Sequence, residues 1–228
     1  TTPGVVSLMT NAVISFGGSV FTEVLDDLDD RVDELRRFAD EVDKLVVVVG
    51  AGALKSHINA SSDKASQAEL DLVGIQATRL NASVMKTYFD DVHPTIPTNL
   101  DDVVDAVEYS DLIIMGGTEP GHSTDAVAAL AGELIDADVL VNVTDVDGIY
   151  DRDPDEGDAE KLDQITYAEL LDMVAQKEVA AGSYALMDLT ACKILDRSKI
   201  RTVIINGKKE GELLKALSGE HSGTEVVK

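Results

Sequence analysis

The chain has 228 residues, 44% of them hydrophobic, which is enough apolar material for one domain with a sizeable core. Asp and Glu number 43 against 19 Lys and Arg, so the formal net charge is −24, spread along the chain and not confined to a tail. This charge disfavours duplex nucleic acid and anionic membranes as main partners, because binding them requires clustered Lys and Arg.

The cysteine and histidine content bears on disulfide bonds, cellular location and metal binding. Cys192 is the only cysteine, so no disulfide can form within the chain, and we expect a cytoplasmic location. The apolar runs are too short to cross a bilayer, and the first residues show no signal-peptide pattern. The sequence predicts no metal site, because no ligand spacing relates the four histidines, His57, His93, His122 and His221.

Short runs rich in β-branched residues alternate with segments of helical period, which is typical of a mostly parallel sheet covered on both faces. The predicted strands are Ala12–Phe16, Leu45–Val49, Leu112–Met115, Val139–Thr144 and Thr202–Ile205. Between the first two strands, apolar residues from Leu25 to Val42 recur at steps of three and four and predict a helix. Further helices are predicted at Leu70–Met85, Asp101–Glu108, Thr124–Ile135, Tyr167–Val174, Met187–Arg197 and Glu210–Leu217.

Glycine-bearing turns follow three of the predicted strands: Gly17-Gly18-Ser19, Gly50-Ala51-Gly52 and Gly116-Gly117. A single glycine pair can serve a tight turn alone, but the carboxyl ends of parallel strands meet at one edge, where backbone N–H groups bind anions. The repetition therefore favours one anion site. The P-loop pattern and the G-x-G-x-x-G pattern are both absent, which disfavours the common NTPase and dinucleotide folds.

Two stretches carry most of the candidate chemistry. From Met115 to Asp125 the chain reads MGGTEPGHSTD and runs directly into a predicted helix, which Ser123 or Thr124 would cap. An ordinary capped helix explains this pattern without a ligand, whereas a phosphate bound at the helix start explains it as well. From Thr144 to Pro154 the chain reads TDVDGIYDRDP and leaves a buried strand through an Asp-Gly turn, so this segment is a candidate cover for a base or ribose.

Six blocks in order give the chain a specific resemblance: FGGSV from Phe16, DLVGIQATRLNA from Asp71, the Met115–Leu130 block, the Thr144–Pro154 block, DLTACK from Asp188 and GEHSGT from Gly219. Over nearly its whole length the chain resembles the archaeal-type UMP kinases of the amino acid kinase family. The resemblance implies one domain, residues 1–228, folded as a three-layer α/β/α sandwich with a mostly parallel eight-stranded sheet. It divides the domain into an acceptor-binding part, about 1–135, and an ATP-binding part, about 136–228.

The resemblance also implies transfer of the ATP γ-phosphoryl group to UMP with Mg²⁺, in a homohexamer. It gives Asp125 an organising role in catalysis, because an ionised UMP phosphate needs no general base. The residues it assigns to ATP are Gly18, Ser19, Gly52, Thr144, Tyr150 and Asp153. The residues it assigns to UMP are Ala51, Asp71, Thr118, Glu119, Pro120, Gly121, His122, Ser123 and Thr124.

The chain departs from the family pattern on the ATP side. Ala51 interrupts a Gly-Gly-Gly turn, and its methyl group would obstruct a close backbone approach if φ were positive there. Ser56 stands where the family has an Arg, and neighbouring Lys55 is a candidate substitute without the planar fork. Ser15 stands where the wider fold often has a lysine. These departures leave two alternatives open: a kinase of this fold for another small phosphate or carboxylate, and a non-catalytic nucleotide-binding or anion-binding module.

The net charge of −24 predicts a halophilic response. Because salt screens the repulsion between acidic surfaces, we expect the midpoint of thermal unfolding to rise between dilute buffer and molar KCl. Calorimetry across this range measures the effect. A flat or falling midpoint would remove the halophilic interpretation.

Overall fold

The computed structural model describes residues 10–23, 28–152, 157–178 and 187–228. Within these ranges seven strands form one sheet: β1 (Asn11–Phe16), β2 (Lys44–Val49), β3 (Leu112–Met115), β4 (Val139–Thr144), β5 (Gln164–Thr166), β6 (Arg201–Asn206) and β7 (Thr224–Val227). Their spatial order is β3-β2-β1-β4-β6-β7-β5. All neighbouring strands are parallel except β6 and β7, which are antiparallel.

The described helices are α1 (Gly18–Glu23), α2 (Leu28–Asp40), α3 (Leu54–Asn59), α4 (Gln67–Lys86), α5 (Leu100–Val107), α6 (Thr124–Leu134), α7 (Tyr167–Glu178), α8 (Leu189–Ser198) and α9 (Glu212–Ser218). The longest helix, α4, begins with a capping box in which the side chain and backbone of Ser66 exchange hydrogen bonds with Glu69. None of the described helices is long and apolar enough to cross a membrane.

Alternation along the central strands divides the core into two layers. On β1, Val13 packs into one cluster with residues of α5, α6, α7 and α8. Its neighbours Ala12, Ile14 and Phe16 pack into a second cluster with residues of α2, α4 and α9. Helices therefore cover both faces of a mostly parallel sheet, which confirms the predicted three-layer α/β class.

The same alternation places two polar side chains on the sheet face that packs against α6. Ser15 follows Val13 on the α6 face, and Asn142 follows Leu140 on that face of β4. Ser15 and Asn142 are register partners and are only 1% and 3% exposed. Two neighbouring strands therefore present a buried hydroxyl and a buried amide toward the start of α6, at the carboxyl edge of the sheet.

All five strands predicted from the sequence are present, with bounds that move by no more than one residue. The short strands β5 and β7 were not predicted, because three or four residues give too little alternation. The six-residue helices α1 and α3 carry no apolar period either. The resemblance implies eight strands, and the described residues supply seven. The helix predicted from Leu25 begins outside the described residues, and α2 covers its described part.

Candidate active site

The turns after β1 and β2 pack backbone against backbone. A Cβ on Gly18 would lie 2.1 Å from the Gly52 nitrogen, and a Cβ on Gly50 would lie 2.6 Å from the Gly18 nitrogen. Any side chain at either position would push the turns apart. Between these glycines, Ala51 lacks the positive φ that would make its methyl group an obstacle, whereas Gly52 has a φ of 60°. The predicted obstruction at Ala51 is therefore absent.

Asp125 lies in the first turn of α6, where Ser123 caps the helix by accepting a hydrogen bond from the Ala126 N–H at 3.0 Å. Its Oδ1 accepts hydrogen bonds from Ser15 Oγ at 2.6 Å and from Asn142 Nδ2 at 3.3 Å. The buried polar pair of β1 and β4 therefore fixes one carboxylate oxygen. The second oxygen makes no such contact with the described residues and is available to a ligand or its metal.

The environment of Asp125 disfavours its ionised form. Burial raises the pKa of this carboxyl to about 6, and the negative charge of Asp188 adds to the increase. The Ser15 hydrogen bond and the positive charge of Lys55 act in the opposite direction. Keeping this carboxyl ionised therefore lowers the free energy of unfolding, and such perturbed groups are typical of active sites.

Helix α4 holds the loop that follows β3. The Thr78 hydroxyl accepts a hydrogen bond from the Gly117 N–H at 2.7 Å, and Arg79 Nε donates to the Gly117 carbonyl at 3.0 Å. Asp71 Oδ2 accepts from the Gly121 N–H at 3.0 Å. Gly121 has a φ of 82°, so this loop bends through a conformation that favours glycine.

The same helix reaches the turn after β2. Asn81 is buried, and its Nδ2 donates to the Gly50 carbonyl at 2.8 Å. One helix therefore positions both the Gly50–Gly52 turn and the loop from Gly117 to Gly121. The resemblance assigns Ala51 of this turn and the loop from Thr118 to Thr124 to UMP, and it assigns Gly52 of the same turn to ATP.

A second helix start joins the first. Asp188 caps α8 by accepting from the N–H groups of Thr190 at 2.8 Å and Ala191 at 3.1 Å. Its other oxygen accepts a hydrogen bond from the Ser123 hydroxyl. The starts of α6 and α8 are thereby fixed beside each other.

The loop after β4 is held by residues of the neighbouring strands β6 and β7. Asp147 Oδ1 accepts from Asn206 Nδ2 at 2.8 Å and lies 2.9 Å from Lys209 Nζ. These two contacts hold the pKa of the Asp147 carboxyl below its usual value. Farther along, the Ile149 N–H donates to the buried Thr224 hydroxyl at 2.8 Å. The candidate ATP loop is therefore held by both β6 and β7.

These elements enclose a cavity of about 930 Å³. Its lining includes most of the predicted site: Gly18, Ser19, Ala51, Gly52, Asp71, Glu119, Gly121, His122, Ser123, Thr124, Asp125 and Thr144. Thr118 and Pro120 belong to the same loop but do not line the cavity. Tyr150 does not line it either and forms an isolated antiparallel bridge with Lys161. Asp153 lies outside the described residues.

The comparisons with known proteins agree with this geometry. The family model described as the amino acid kinase family matches residues 11–206, most of the chain. This chain belongs to the amino acid kinase family. Uridylate kinase of Methanococcus aeolicus is 38% identical over 219 residues, which are 93% of this chain and 97% of that protein. Uridylate kinase of Haloquadratum walsbyi is 39% identical over 222 residues, which are 94% of this chain and 92% of that protein.

A solved structure of an amino acid kinase family member shares the fold. The crystal structure of uridylate kinase from Archaeoglobus fulgidus superposes with a TM-score of 0.85 at 34% identity and covers 96% of this chain and 100% of that one. The fold class predicted from the resemblance is confirmed.

Several residues that build this amino acid kinase site had no predicted role. Asn142 was hidden in a strand whose apolar neighbours dominate the pattern, although one amide in VLVNVT is itself a signal. Thr78, Arg79 and Asn81 were part of a matched block, but only α4 in place shows which loops they hold. Ser56 does not line the cavity, and its hydroxyl donates to the Ala53 carbonyl at 2.7 Å.

The raised pKa of Asp125 predicts a pH-dependent cost to stability. Because the folded-state pKa of about 6 exceeds the ordinary aspartate pKa of 3.8, the stability from the bound proton is full below the lower pKa and is lost as pH rises through 6. From pH 5 to 7.5, we expect Asp125→Asn to gain about 1 to 2 kcal/mol in unfolding free energy relative to the native chain. Urea unfolding at each pH measures it.

The control is Asp63→Asn, which removes an exposed carboxylate outside the cavity. Its unfolding free energy is measured against that of the native chain over the same pH range, and an equal gain in Asp63→Asn would assign the effect to the lost negative charge in general. A constant difference for Asp125→Asn would show that the Asp125 carboxyl titrates as it does in the unfolded chain.

Proposed function

We propose that this chain is an ATP-dependent UMP kinase that makes UDP in pyrimidine nucleotide metabolism. The observation that carries the proposal is the cavity in which the Gly18 and Gly52 turns, the loop ending at Thr124 and the Asp125 carboxylate meet. The uridylate kinases reported above resemble the chain over nearly its full length. In this proposal residues about 1–135 bind UMP and residues about 136–228 bind ATP.

The arrangement suits phosphoryl transfer, which requires two anionic substrates to be held in line while their repulsion is offset. Backbone N–H groups at the glycine turns and at the start of α6 offer dipoles to the phosphates. The loop from Thr118 to Thr124, anchored on Asp71 through Gly121, holds UMP. The loop that begins at Thr144, anchored on Asn206 through Asp147, holds ATP. Asp125 organises the centre through its free oxygen.

We propose that Mg²⁺ enters with ATP. Among the described residues no three His, Cys, Asp or Glu side chains come together as a metal cage. Mg²⁺ in such sites is usually carried by substrate phosphates with one or two carboxylates, and Asp125 and Asp145 in the cavity lining offer suitable oxygens. When bound, the ion neutralises charge on the β- and γ-phosphates.

We also propose a cytoplasmic homohexamer. The side chains of Leu72, Val73, Leu80 and Val84 on α4 are between 38% and 57% exposed. Apolar side chains grouped on one helix are typical of a subunit contact. Sedimentation velocity in KCl gives the subunit number, and a monomer at micromolar concentration would contradict the assembly.

We expect UMP to have a higher kcat/KM than CMP or AMP in a coupled assay of ADP release, repeated at low and high KCl. A higher kcat/KM for either competitor would refute the acceptor assignment. In the same assay, Asp71→Asn should raise KM for UMP about tenfold, or about 1.4 kcal/mol, because the weakened Gly121 contact loosens the acceptor loop. KM for ATP should change little. Equal effects on both KM values would indicate a structural role, and Asp63→Asn is the control.

A further inference from the structure

The cavity lining carries an excess of negative charge. Its lining contains five carboxylates, and among its described residues Lys55 is the only Lys or Arg; the carboxylates are Asp71, Glu119, Asp125, Asp145 and Asp188. Two phosphorylated substrates add further negative charge to this space. Since the whole chain already carries a net charge of −24, the cavity needs a local cation to receive them.

Four of the five carboxylates accept hydrogen bonds from internal donors, including Asp145, whose Oδ1 accepts from the Thr144 hydroxyl at 3.4 Å. Asp71 accepts from the Gly121 N–H, Asp188 caps α8, and Asp125 accepts from the Ser15 hydroxyl. These contacts satisfy the carboxylates but supply no positive charge to a ligand. His122 also lines the cavity, but its Nδ1 lies 3.8 Å from Oε1 of Glu119, a carboxylate of the same loop.

Five lysines of the described residues are held by carboxylates, and Lys55 is not one of them. Lys44, Lys161, Lys199, Lys209 and Lys215 each form an ion pair with an acidic side chain. The described residues place no ion-pair partner on Lys55, even though acids outnumber bases by 43 to 19 in the whole sequence. An unpaired ammonium group beside glycine turns is well placed to meet phosphate oxygens.

Lys55 also acts on the centre of the site. It is the second residue of α3, and its N–H donates to the Gly52 carbonyl at 3.0 Å, so its position depends on the contact between the two glycine turns. Burial is the main cause of the raised pKa of Asp125, and the charge of Lys55 acts against it. The two side chains therefore share one electrostatic environment across the cavity, whereas neighbouring Ser56 lies outside the lining.

We propose that Lys55 binds the phosphoryl group during its transfer, a role that rests on the kinase activity proposed above. An oxygen of the UMP phosphate forms a bond to the γ-phosphorus, and the bond from that phosphorus to the β,γ-bridging oxygen breaks. ADP leaves with the electron pair, and no proton moves. The Lys55 ammonium stabilises the charge on the non-bridging oxygens of the group between the two substrates.

The test compares Lys55→Gln, Lys55→Arg and the control Lys64→Gln at one fixed KCl concentration. Lys64 is an exposed lysine of the same segment that does not line the cavity. We expect Lys55→Gln to lower kcat/KM about 100-fold or more, in line with the loss of one transition-state contact. Lys55→Arg should stay within about tenfold of the native value, and Lys64→Gln should match it. Thermal unfolding of each variant checks that the fold is retained.

A Lys55→Gln enzyme that keeps kcat/KM within about threefold of the native value would overturn the proposal. So would a loss of similar size in Lys64→Gln, because that loss would reflect net charge and not the site. His122→Gln is a further comparison: a 100-fold loss there, with Lys55→Gln unaffected, assigns the cation to the histidine instead.

Calorimetric binding of inorganic tripolyphosphate separates this inference from the kinase proposal, because it needs no turnover. If the native chain makes no UDP, the proposed function fails. In that case a tenfold or greater weakening of tripolyphosphate binding in Lys55→Gln, with none in Lys64→Gln, still supports Lys55 as the phosphate cation. Equal binding by native chain and Lys55→Gln overturns it.

Discussion

Backbone packs directly against backbone where β1 and β2 end, and the site is built on that contact. Gly18 and Gly52 come so close that a single methyl group would separate the two turns. Because no side chain occupies the space, the peptide groups of both turns are left at the cavity wall. The contact also sets the start of α3, and so the place of Lys55. A loss of this approach would therefore change both the dipoles and the cation offered to phosphate.

Negative charge governs the rest of the site. The sequence carries a large excess of acids, and five of the described lysines are held by acidic partners. Positive charge is therefore scarce, and the site relies on N–H dipoles at the glycine turns and at the start of α6. Peptide dipoles are fixed by the fold and have no counter-ion to lose, whereas exposed ion pairs weaken in salt. An anion site built on peptide dipoles therefore depends less on ionic strength than one built on exposed side-chain charges.

The sequence predicted the apolar strands better than the shortest strands and the site contacts. Strands such as Leu112–Met115 are continuous apolar runs between turn signals, so their pattern is strong. β7, with its four-residue sequence TEVV, is too short to show a pattern of its own and is held by pairing with β6 and β5. Asp125 could be proposed from its position after a helix cap. Its partners Ser15 and Asn142 lie 110 and 17 residues away, and only the register of β1 with β4 brings them together.

Helix α4 connects the proposed subunit contact with the candidate active site. On one side, Asn81 and Arg79 hold the turns that carry Gly50 and Gly117. Leu80, the residue between them in sequence, points outward and is 57% exposed. In the proposed hexamer a neighbouring subunit that covers Leu80 would fix the rotation of this helix about its axis. Since a packed helix moves as a unit, the same contact would fix both the Gly50–Gly52 turn and the loop that follows β3. Assembly and substrate positioning would then depend on one element.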